Sequence, residues 1–457
     1  MRHHDLLIIG TGSGNTIVDG RFAELDVAIV EEGKFGGTCV NVGCIPTKMF
    51  VHTADLAAGT RGSARFGVDA HVDRVRWTDI RDRIFNRIDP IASDGEAYRR
   101  ESSNVTVYGE HARFTGPKRL ALASGEEVTA GRIVIAAGSR AVIPDIPGLS
   151  GAYMHTSDTI MRIDDLPASM VVLGGGVIAA EMAHVFSALG TRVSVVARSS
   201  RLLMAEDRDV SERFTDVARR RWDLRLSTRV QRVEEMSGRA RLHLTSSDDR
   251  VDRGTVDAEV VLVATGRVPN SDRLQVAASG VTTHPDGRVV VDAQQRTVVP
   301  DIWALGDVCS DHQLKHVANH EARVVQHNLL NPDDPTTSDH RYVPHAIFTS
   351  PQIASVGRTE DDLLTSGTPY ISGIDGYDTI AYGWAMEDTT GFAKVLADPA
   401  SGLILGAHII GPQASSVIQP VIQAMHFGLP ALEMARGQYW IHPAMPEVVE
   451  NALLKLA

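Results

Sequence analysis

Twice in this chain a short apolar run is followed at once by closely spaced glycines. The first is Leu6-Leu7-Ile8-Ile9 before Gly10-Thr11-Gly12-Ser13-Gly14-Asn15, and the second is Val171-Val172-Leu173 before Gly174-Gly175-Gly176-Val177-Ile178-Ala179-Ala180-Glu181. A brief apolar run bounded by glycine reads as a buried strand, and glycine lets the backbone turn tightly and approach a ligand closely. Where such a turn opens a helix, the unpaired N–H groups at the helix start take up a pyrophosphate. Each unit therefore predicts strand, glycine turn and helix, the beginning of a dinucleotide-binding α/β fold. Two such units about 160 residues apart imply two bound nucleotides or one duplicated domain.

The residues that follow distinguish the two. After the first turn the strand Val27-Ala28-Ile29-Val30 ends in Glu31, 21 residues after Gly10, close to the roughly 20 expected for a carboxylate that binds ribose hydroxyls. The third fingerprint position is Asn15 rather than Gly or Ala, with Gly14 beside it to relieve the packing. After the second turn Val193-Ser194-Val195-Val196 ends in Ala197-Arg198. No carboxylate stands there, and Arg198, Arg201 and Arg192 put positive charge where a ribose 2′-phosphate would lie. The first site is expected to take an unphosphorylated ribose and the second NADPH.

Two of the three cysteines, Cys39 and Cys44, lie five positions apart in Gly36-Gly37-Thr38-Cys39-Val40-Asn41-Val42-Gly43-Cys44-Ile45-Pro46-Thr47-Lys48. A regular helix separates such positions by about 8 to 9 Å between Cα atoms, beyond the roughly 7 Å a disulfide tolerates. Asn41 and Gly43, tolerant of positive φ, are expected to supply an irregular turn that brings the sulfurs together. The spacing alone is equally compatible with two separate thiols. A zinc site wants about four Cys or His ligands, and no second pair completes one; no metal is expected.

The 457 residues suffice for two to four domains, and 43% apolar with 22% charged residues describe an ordinary globular chain. With 45 basic against 57 acidic residues the net charge is −12, which argues against nonspecific binding to nucleic acid or anionic membrane. Four apolar residues before Gly10 are too few for a signal peptide. A cytoplasmic location is expected, where a close thiol pair is more often catalytic or metal-binding than structural.

Further along, residues 50–100 carry charged helical patterns and 105–122 short strands; His111 by itself reads as structural. The stretch 133–139 is a buried strand ending in small residues including Gly138, and Val-Val-Leu-Val-Ala-Thr-Gly at 260–266 repeats that ending. Pro144, Pro147 and Gly148 mark a boundary, 315–330 predicts a helix, 331–339 a polar linker, and 340–457 alternates strands with helices as an α+β domain. Asp307 closes a short strand, where its carboxylate is able to hold a hydroxyl. His442 and Glu447, five positions apart, are able to pair, the acid orienting the ring.

The glycine turn at 10–14, the cysteine block at 36–48, the turn at 174–181, Ala-Thr-Gly-Arg-x-Pro-Asn at 264–270, Gly-Asp at 306–307 and His-Pro-x4-Glu at 442–447 together resemble the flavoprotein disulfide reductases, relatives of glutathione reductase and lipoamide dehydrogenase. The resemblance covers essentially the whole chain. It implies two Rossmann-like domains and a C-terminal α+β dimerisation domain, divided as 1–149 for FAD, 150–267 for NADPH, 268–338 returning to the FAD domain and 339–457 for the interface. It implies FAD contacts at Gly10, Gly12, Ser13, Gly14, Glu31, Gly37, Thr38, Lys48, His111, Ala112, Gly138, Asp307 and Ala318. For NADPH it implies Gly174, Gly176, Ile178, Arg198, Arg201 and Gly266. Lys48, four residues after Cys44, would pair with Glu181 beside the flavin.

The activity implied is hydride transfer from NADPH to flavin, then reduction of a Cys39/Cys44 disulfide. Cys44 would lie nearer the flavin and Cys39 would attack a small-molecule disulfide substrate. His442 and Glu447 from the second subunit of a homodimer would protonate the departing thiolate. Within the family, Arg198 argues against lipoamide dehydrogenase. The absence of any cysteine beyond Cys309 excludes a C-terminal thiol relay, and Gly20 stands where glutathione reductases resemble one another in carrying an arginine. A redox-sensing flavoprotein without turnover is the alternative from another class, and the joint presence of Cys39, Cys44, His442 and Glu447 speaks against it.

Overall fold

The computed structural model describes all 457 residues, Met1–Ala457. The chain opens with the strand Arg2–Ile9 at the centre of a seven-stranded sheet. Val27–Val30 and then Val105–Tyr108 lie parallel on one side of it, and Glu127–Ile135 lies parallel on the other. Arg119–Leu122 and Ala112–Gly116 extend the sheet antiparallel beyond Glu127–Ile135. Leu6, Leu7, Ile8 and Ile9 are all buried, as are Val27 to Val30. Parallel strands covered on both faces read as continuous apolar runs, which is why these two were recognisable. Six helices frame the sites: α1 Gly37–Asn41, α2 Cys44–Gly62, α3 Trp77–Glu101, α4 Val177–Leu189, α5 Arg208–Arg219 and α6 Lys315–Leu330.

The second unit is a five-stranded sheet, wholly parallel, in the order Asp223–Arg225, Arg192–Val196, Ser169–Leu173, Val260–Val263, Met154–His155. A three-stranded antiparallel sheet, Thr228–Met236, Arg239–Ser246 and Asp252–Ala258, packs beside it. The chain then returns. Ile302–Ala304 pairs in parallel with residues 133–135 of the first sheet, and α6 follows against the first glycine turn. The last section is a five-stranded antiparallel sheet of His345–Ile347, Gln352–Gly357, Ile404–Gly411, Phe392–Ala397 and Ile371–Gly376, with helices against it. Its buried Lys394 reaches across to Asp207, Asp209 and Glu360 at 2.9, 2.6 and 2.7 Å. Burial would lower its pKa, but the three carboxylates outweigh that and raise it, so the ammonium ties the start of α5 to this sheet.

One expected element is absent. The first glycine turn leads into no α-helix but into two 3-10 turns, Gly14–Thr16 and Gly20–Phe22. The intervening Asn15, Thr16, Val18 and Asp19 are poor helix formers, since short polar side chains compete for the backbone and β-branched ones lose rotamer freedom. Asp19 accepts the N–H of Arg21 instead of continuing the chain upward. The carbonyls that a helix would have satisfied find partners elsewhere. Arg99 of α3, 7% exposed, donates to the carbonyls of Asn15 at 2.5 Å and Val18 at 2.9 Å and to the Asn15 side chain at 2.8 Å. Gln326 of α6 donates to the carbonyl of Ile17 at 2.7 Å.

Beneath the cysteine block, Phe50 of α2 stacks on Trp77 and leans on Phe85 of α3, with ring centroids 5.2 and 6.3 Å apart. Burying each aromatic ring contributes about 1.5–3 kcal/mol. That packing fixes α2, and with it the position of Cys44.

Candidate active site

Gly36 and Gly37 carry the positive φ values that open the cysteine block, +94° and +65°. α1 then contains Cys39, and α2 begins on Cys44. The helices are separated by Val42 (φ −145°, ψ 12°) and Gly43 (φ −131°, ψ −122°). The irregular break exists as expected, but positive φ at Asn41 or Gly43 does not make it. Asn41 belongs to α1, and its amide folds back to donate to the carbonyls of Phe35 at 2.8 Å and Gly37 at 3.0 Å. Gly43 is required by closeness: a Cβ there would stand 2.9 Å from the Thr38 carbonyl oxygen.

The two thiols are free and within hydrogen-bond reach of each other. Of the two, Cys44 is the one shifted toward the thiolate. A hydrogen bond from Cys39 lowers its pKa to about 7, with burial opposing and the Lys48 ammonium assisting. Donation to Cys44, burial and the negative charge of Cys44 push Cys39 the other way, partly offset by Lys315. Lys48 sits one turn after Cys44 on α2 and meets both carboxylate oxygens of Glu181 on α4 at 2.8 Å. Glu181 also accepts the Phe348 N–H at 2.8 Å, while the Lys48 ammonium lies 4.7 Å from the Phe348 ring centre. Redox pair, second unit and C-terminal sheet thus share one clamp.

A cavity of about 640 Å³ opens in front of this pair, within the roughly 300–1,000 Å³ usual for small-molecule sites. Its wall holds Gly10, Gly12, Ser13, Glu31, Gly37, Thr38, Cys39, Cys44, Lys48, His111, Ala112, Gly138, Ile178, Glu181, Asp307 and Ala318. Gly14 lies behind it: a Cβ there would sit 2.7 Å from the Ala136 Cβ, so this glycine serves the packing of the turn on the sheet. At Gly10, φ is +101° and a Cβ would meet the Ala136 carbonyl oxygen at 2.3 Å. A Cβ on Gly37 would meet the Gly12 Cα at 2.8 Å, so the glycine turn and the cysteine block touch backbone to backbone. The N–H groups of Gly12 and Ser13 have no acceptor in the protein. Glu31 is held by the N–H and hydroxyl of Thr11, at 2.8 and 2.6 Å. Asp307 accepts from the Ser139 hydroxyl at 2.7 Å, and Arg267 Nε donates to the Ser139 hydroxyl oxygen at 2.8 Å.

The second turn lies apart from this cavity except where the start of α4 reaches it. Gly174 has φ +131°, and a Cβ would meet the Ala264 carbonyl oxygen at 2.2 Å; Gly176 has open space around it. Arg198 is exposed without a carboxylate partner, whereas Arg201 turns inward and donates to the Ser211 hydroxyl at 2.9 Å. Gly266 has φ +129° and no neighbour at its Cβ position. His442 and Glu447 lie off the cavity wall as well, paired with each other at 2.6 Å, the imidazole side chain 71% exposed. Burial favours a higher pKa for Glu447, but hydrogen bonds from His442 and the Ala444 N–H hold it below its ordinary value.

Sequence reasoning missed Lys315, Arg267, Asn270 and Arg273 on the cavity wall. Arg267 and Asn270 belong to the quoted 264–270 motif, whose polar residues after the small-residue strand end were the available signal. Lys315 carried none.

A family model described as "Pyridine nucleotide-disulphide oxidoreductase" matches residues 4–322, and one for the dimerisation domain of the same proteins matches residues 343–453. A curated mycothione reductase of Mycobacterium tuberculosis is 55% identical over 466 aligned positions, covering 100% of both chains. A glutathione reductase of Burkholderia cepacia is 32% identical over 92% of each chain. Among solved structures, the HOCl-induced flavoprotein disulfide reductase RclA of Escherichia coli matches with a TM-score of 0.86 at 26% identity, covering 98% of this chain and 99% of that one.

Proposed function

The chain belongs to the pyridine nucleotide-disulphide oxidoreductase family, and from that premise we propose an NADPH-dependent reductase whose substrate is mycothione, the disulfide of mycothiol. It is an oxidoreductase of FAD and NAD(P)H with a dimerisation domain at its C-terminal end. No helix is long and apolar enough to cross a membrane, and we assign the enzyme to the cytoplasm. The observation that carries the proposal is the pair of free thiols, Cys39 and Cys44, standing with the Lys48–Glu181 clamp on the wall of the cavity that Glu31 also lines.

The residues suit FAD. Gly10 and Gly37 let the turn close against the sheet and the cysteine block, Gly12 leaves its side of the turn open, two N–H groups of the turn are free for a pyrophosphate, and Glu31 and Asp307 offer carboxylates to hydroxyl groups. Gly138, His111, Ala112, Thr38, Lys48 and Ala318 complete its wall. The chemistry a bound flavin supplies is two-electron transfer between a reduced nicotinamide and a dithiol. We assign NADPH to the turn at Gly174 and Gly176, with Ile178 and Gly266 beside it and Arg198 on the 2′-phosphate; Arg201, held by Ser211, supports the loop that carries Arg198.

The dithiol accounts for the substrate step. Cys39, once deprotonated, attacks one sulfur of the substrate disulfide and expels a thiolate. The Cys44 thiolate then attacks Cys39 and releases the second thiol, so two electrons leave the pair as one disulfide forms in the protein and one breaks in the substrate. Cys39 needs a base because Cys44 and burial keep it protonated. His442, aligned by Glu447, is assigned to take that proton and return it to the leaving thiolate. It would act from the partner copy: Tyr439 and Ile441 beside it are exposed large side chains on a single chain and make a face for a second subunit.

Steady-state turnover with mycothione, glutathione disulfide and lipoamide, each with NADPH and NADH, tests the proposal. Fastest turnover is expected for mycothione with NADPH. Fastest turnover of lipoamide, or equal use of both nicotinamides, would overturn the corresponding half of it.

A further inference from the structure

We infer that Lys315 is the cation of the first dinucleotide turn, contacting the pyrophosphate bound there and taking the part that the helix macrodipole of α4 plays at the second turn. The inference rests on the FAD reading above and extends it to a residue that neither motif contains. A pyrophosphate at a glycine turn ordinarily meets the positive end of a helix, equivalent to about half a unit charge. At the second turn α4 provides 13 residues of α-helix directly after Gly176. At the first turn only the 3-10 segment Gly14–Thr16 follows, so aligned peptide dipoles are missing there. The free N–H groups of Gly12 and Ser13 remain, but the positive charge behind them does not.

Lys315 fills that deficit from 302 positions away in the chain. It opens α6, and its ammonium donates to the Ser13 hydroxyl at 2.8 Å, while that hydroxyl donates to Asn319 one turn further along α6 at 2.9 Å. The other cations of the cavity wall are engaged. Lys34 meets Asp89, Lys48 meets Glu181, His111 and Arg273 meet Glu32, and Arg267 holds Ser139. Lys315 has no carboxylate partner, and its pKa is lowered chiefly by burial, with the two cysteines only partly compensating. A half-buried ammonium whose burial is only partly offset by neighbouring charge is completed by an anion, and the side-chain hydrogen bond it makes is to the serine of the phosphate-binding turn.

The test compares Lys315→Met, Lys315→Arg and wild-type protein, each as the full chain stripped of flavin and with the second turn saturated by NADP+, titrated with FAD and separately with ADP, which carries the pyrophosphate but no flavin ring. Charge-assisted hydrogen bonds of this kind set the scale. Lys315→Met is expected to weaken FAD and ADP alike by about 10- to 100-fold, and Lys315→Arg by about threefold or less. Unchanged FAD affinity in Lys315→Met, or a loss confined to FAD with ADP unaffected, overturns the inference, because the charge would then serve the ring or the thiols. Lys315→Gln carries the same comparison if the methionine variant fails to give a cooperative melt. Wild-type protein that binds ADP but no FAD would instead defeat the flavin reading, leaving the ADP ratio to judge Lys315.

Discussion

The two glycine turns begin alike and diverge within a few residues. In each, the first glycine adopts positive φ because the carbonyl oxygen of the neighbouring parallel strand, Ala136 or Ala264, lies 2.3 or 2.2 Å from where a Cβ would be. Beyond that glycine the second turn runs into α4, while the first is held by side chains from elsewhere: Arg99 of α3, Gln326 and Lys315 of α6. A self-sufficient turn and a turn completed by its surroundings thus occupy equivalent places in two sheets. The comparison teaches that the glycine marks a close approach of backbones, and that the helix usually expected after it is a separate device with a substitute.

The largest expected effects fall on what the turns share. Gly10→Ala and Gly174→Ala each force a side chain onto a backbone oxygen at a φ that costs about 1–3 kcal/mol before any overlap. The first is expected to purify without flavin, and the second to keep flavin while losing at least about 100-fold in NADPH affinity. Absorbance per chain and a stopped-flow NADPH titration read both, and full flavin in Gly10→Ala would break the equivalence of the turns. Next comes a residue that only the first turn needs. Arg99→Met leaves buried carbonyls of Asn15 and Val18 without donors and is expected to cost about 3 kcal/mol in urea unfolding; a change under about 1 kcal/mol would mean that the turn supports itself.

Arg198→Glu sharpens the difference in charge between the sites. It should lower the preference for NADPH over NADH by about 30-fold, roughly 2 kcal/mol, with flavin content unchanged. Only the second turn's helix reaches the redox pair, through Glu181 and Lys48. Alkylation of Cys44 in the reduced enzyme should follow a pH midpoint near its pKa of about 7, faster above and slower below. Lys48→Met is expected to move that midpoint up by about one unit, because removing a nearby positive charge disfavours the thiolate; an unmoved midpoint would detach α4 from the thiols. The smallest contrast compares the last glycine of each run, Gly14 and Gly176. Gly14→Ala meets Ala136 and Ile8 and should cost roughly 1–3 kcal/mol, whereas Gly176→Ala, in open space, should stay within about 1 kcal/mol by thermal melting.

Much of the fold was legible where a signal is local. The apolar runs 6–9 and 27–30 are strands because both faces are covered, and the pattern at 315–330 coincides with α6. The need for a break between Cys39 and Cys44 followed from helix geometry alone. Legibility failed where several conformations satisfy the same local chemistry. Asn41 proved a back-folded anchor rather than a positive-φ residue, and the segment after Gly14 proved irregular, with Arg99 and Gln326 donating hydrogen bonds to its carbonyls. Arg201, read as a phosphate ligand beside Arg198, turns to Ser211.

By itself the sequence determined that two strands end in glycine, that one is followed by an acid and the other by an arginine, and that two cysteines sit too far apart for one regular helix. These are properties of neighbours, decided by φ preference, side-chain volume and rise per residue over a few positions. Only the tertiary structure decided which remote groups complete them: the Ala136 and Ala264 carbonyls that exclude a Cβ, the Arg99 that meets the carbonyls after Gly14, the Lys315 that meets Ser13. The physical reason is that a local preference acts within about one turn of chain, whereas a charge or a carbonyl acts over a few ångströms of space, and closure of the sheets alone brings residues 13 and 315 within one hydrogen bond.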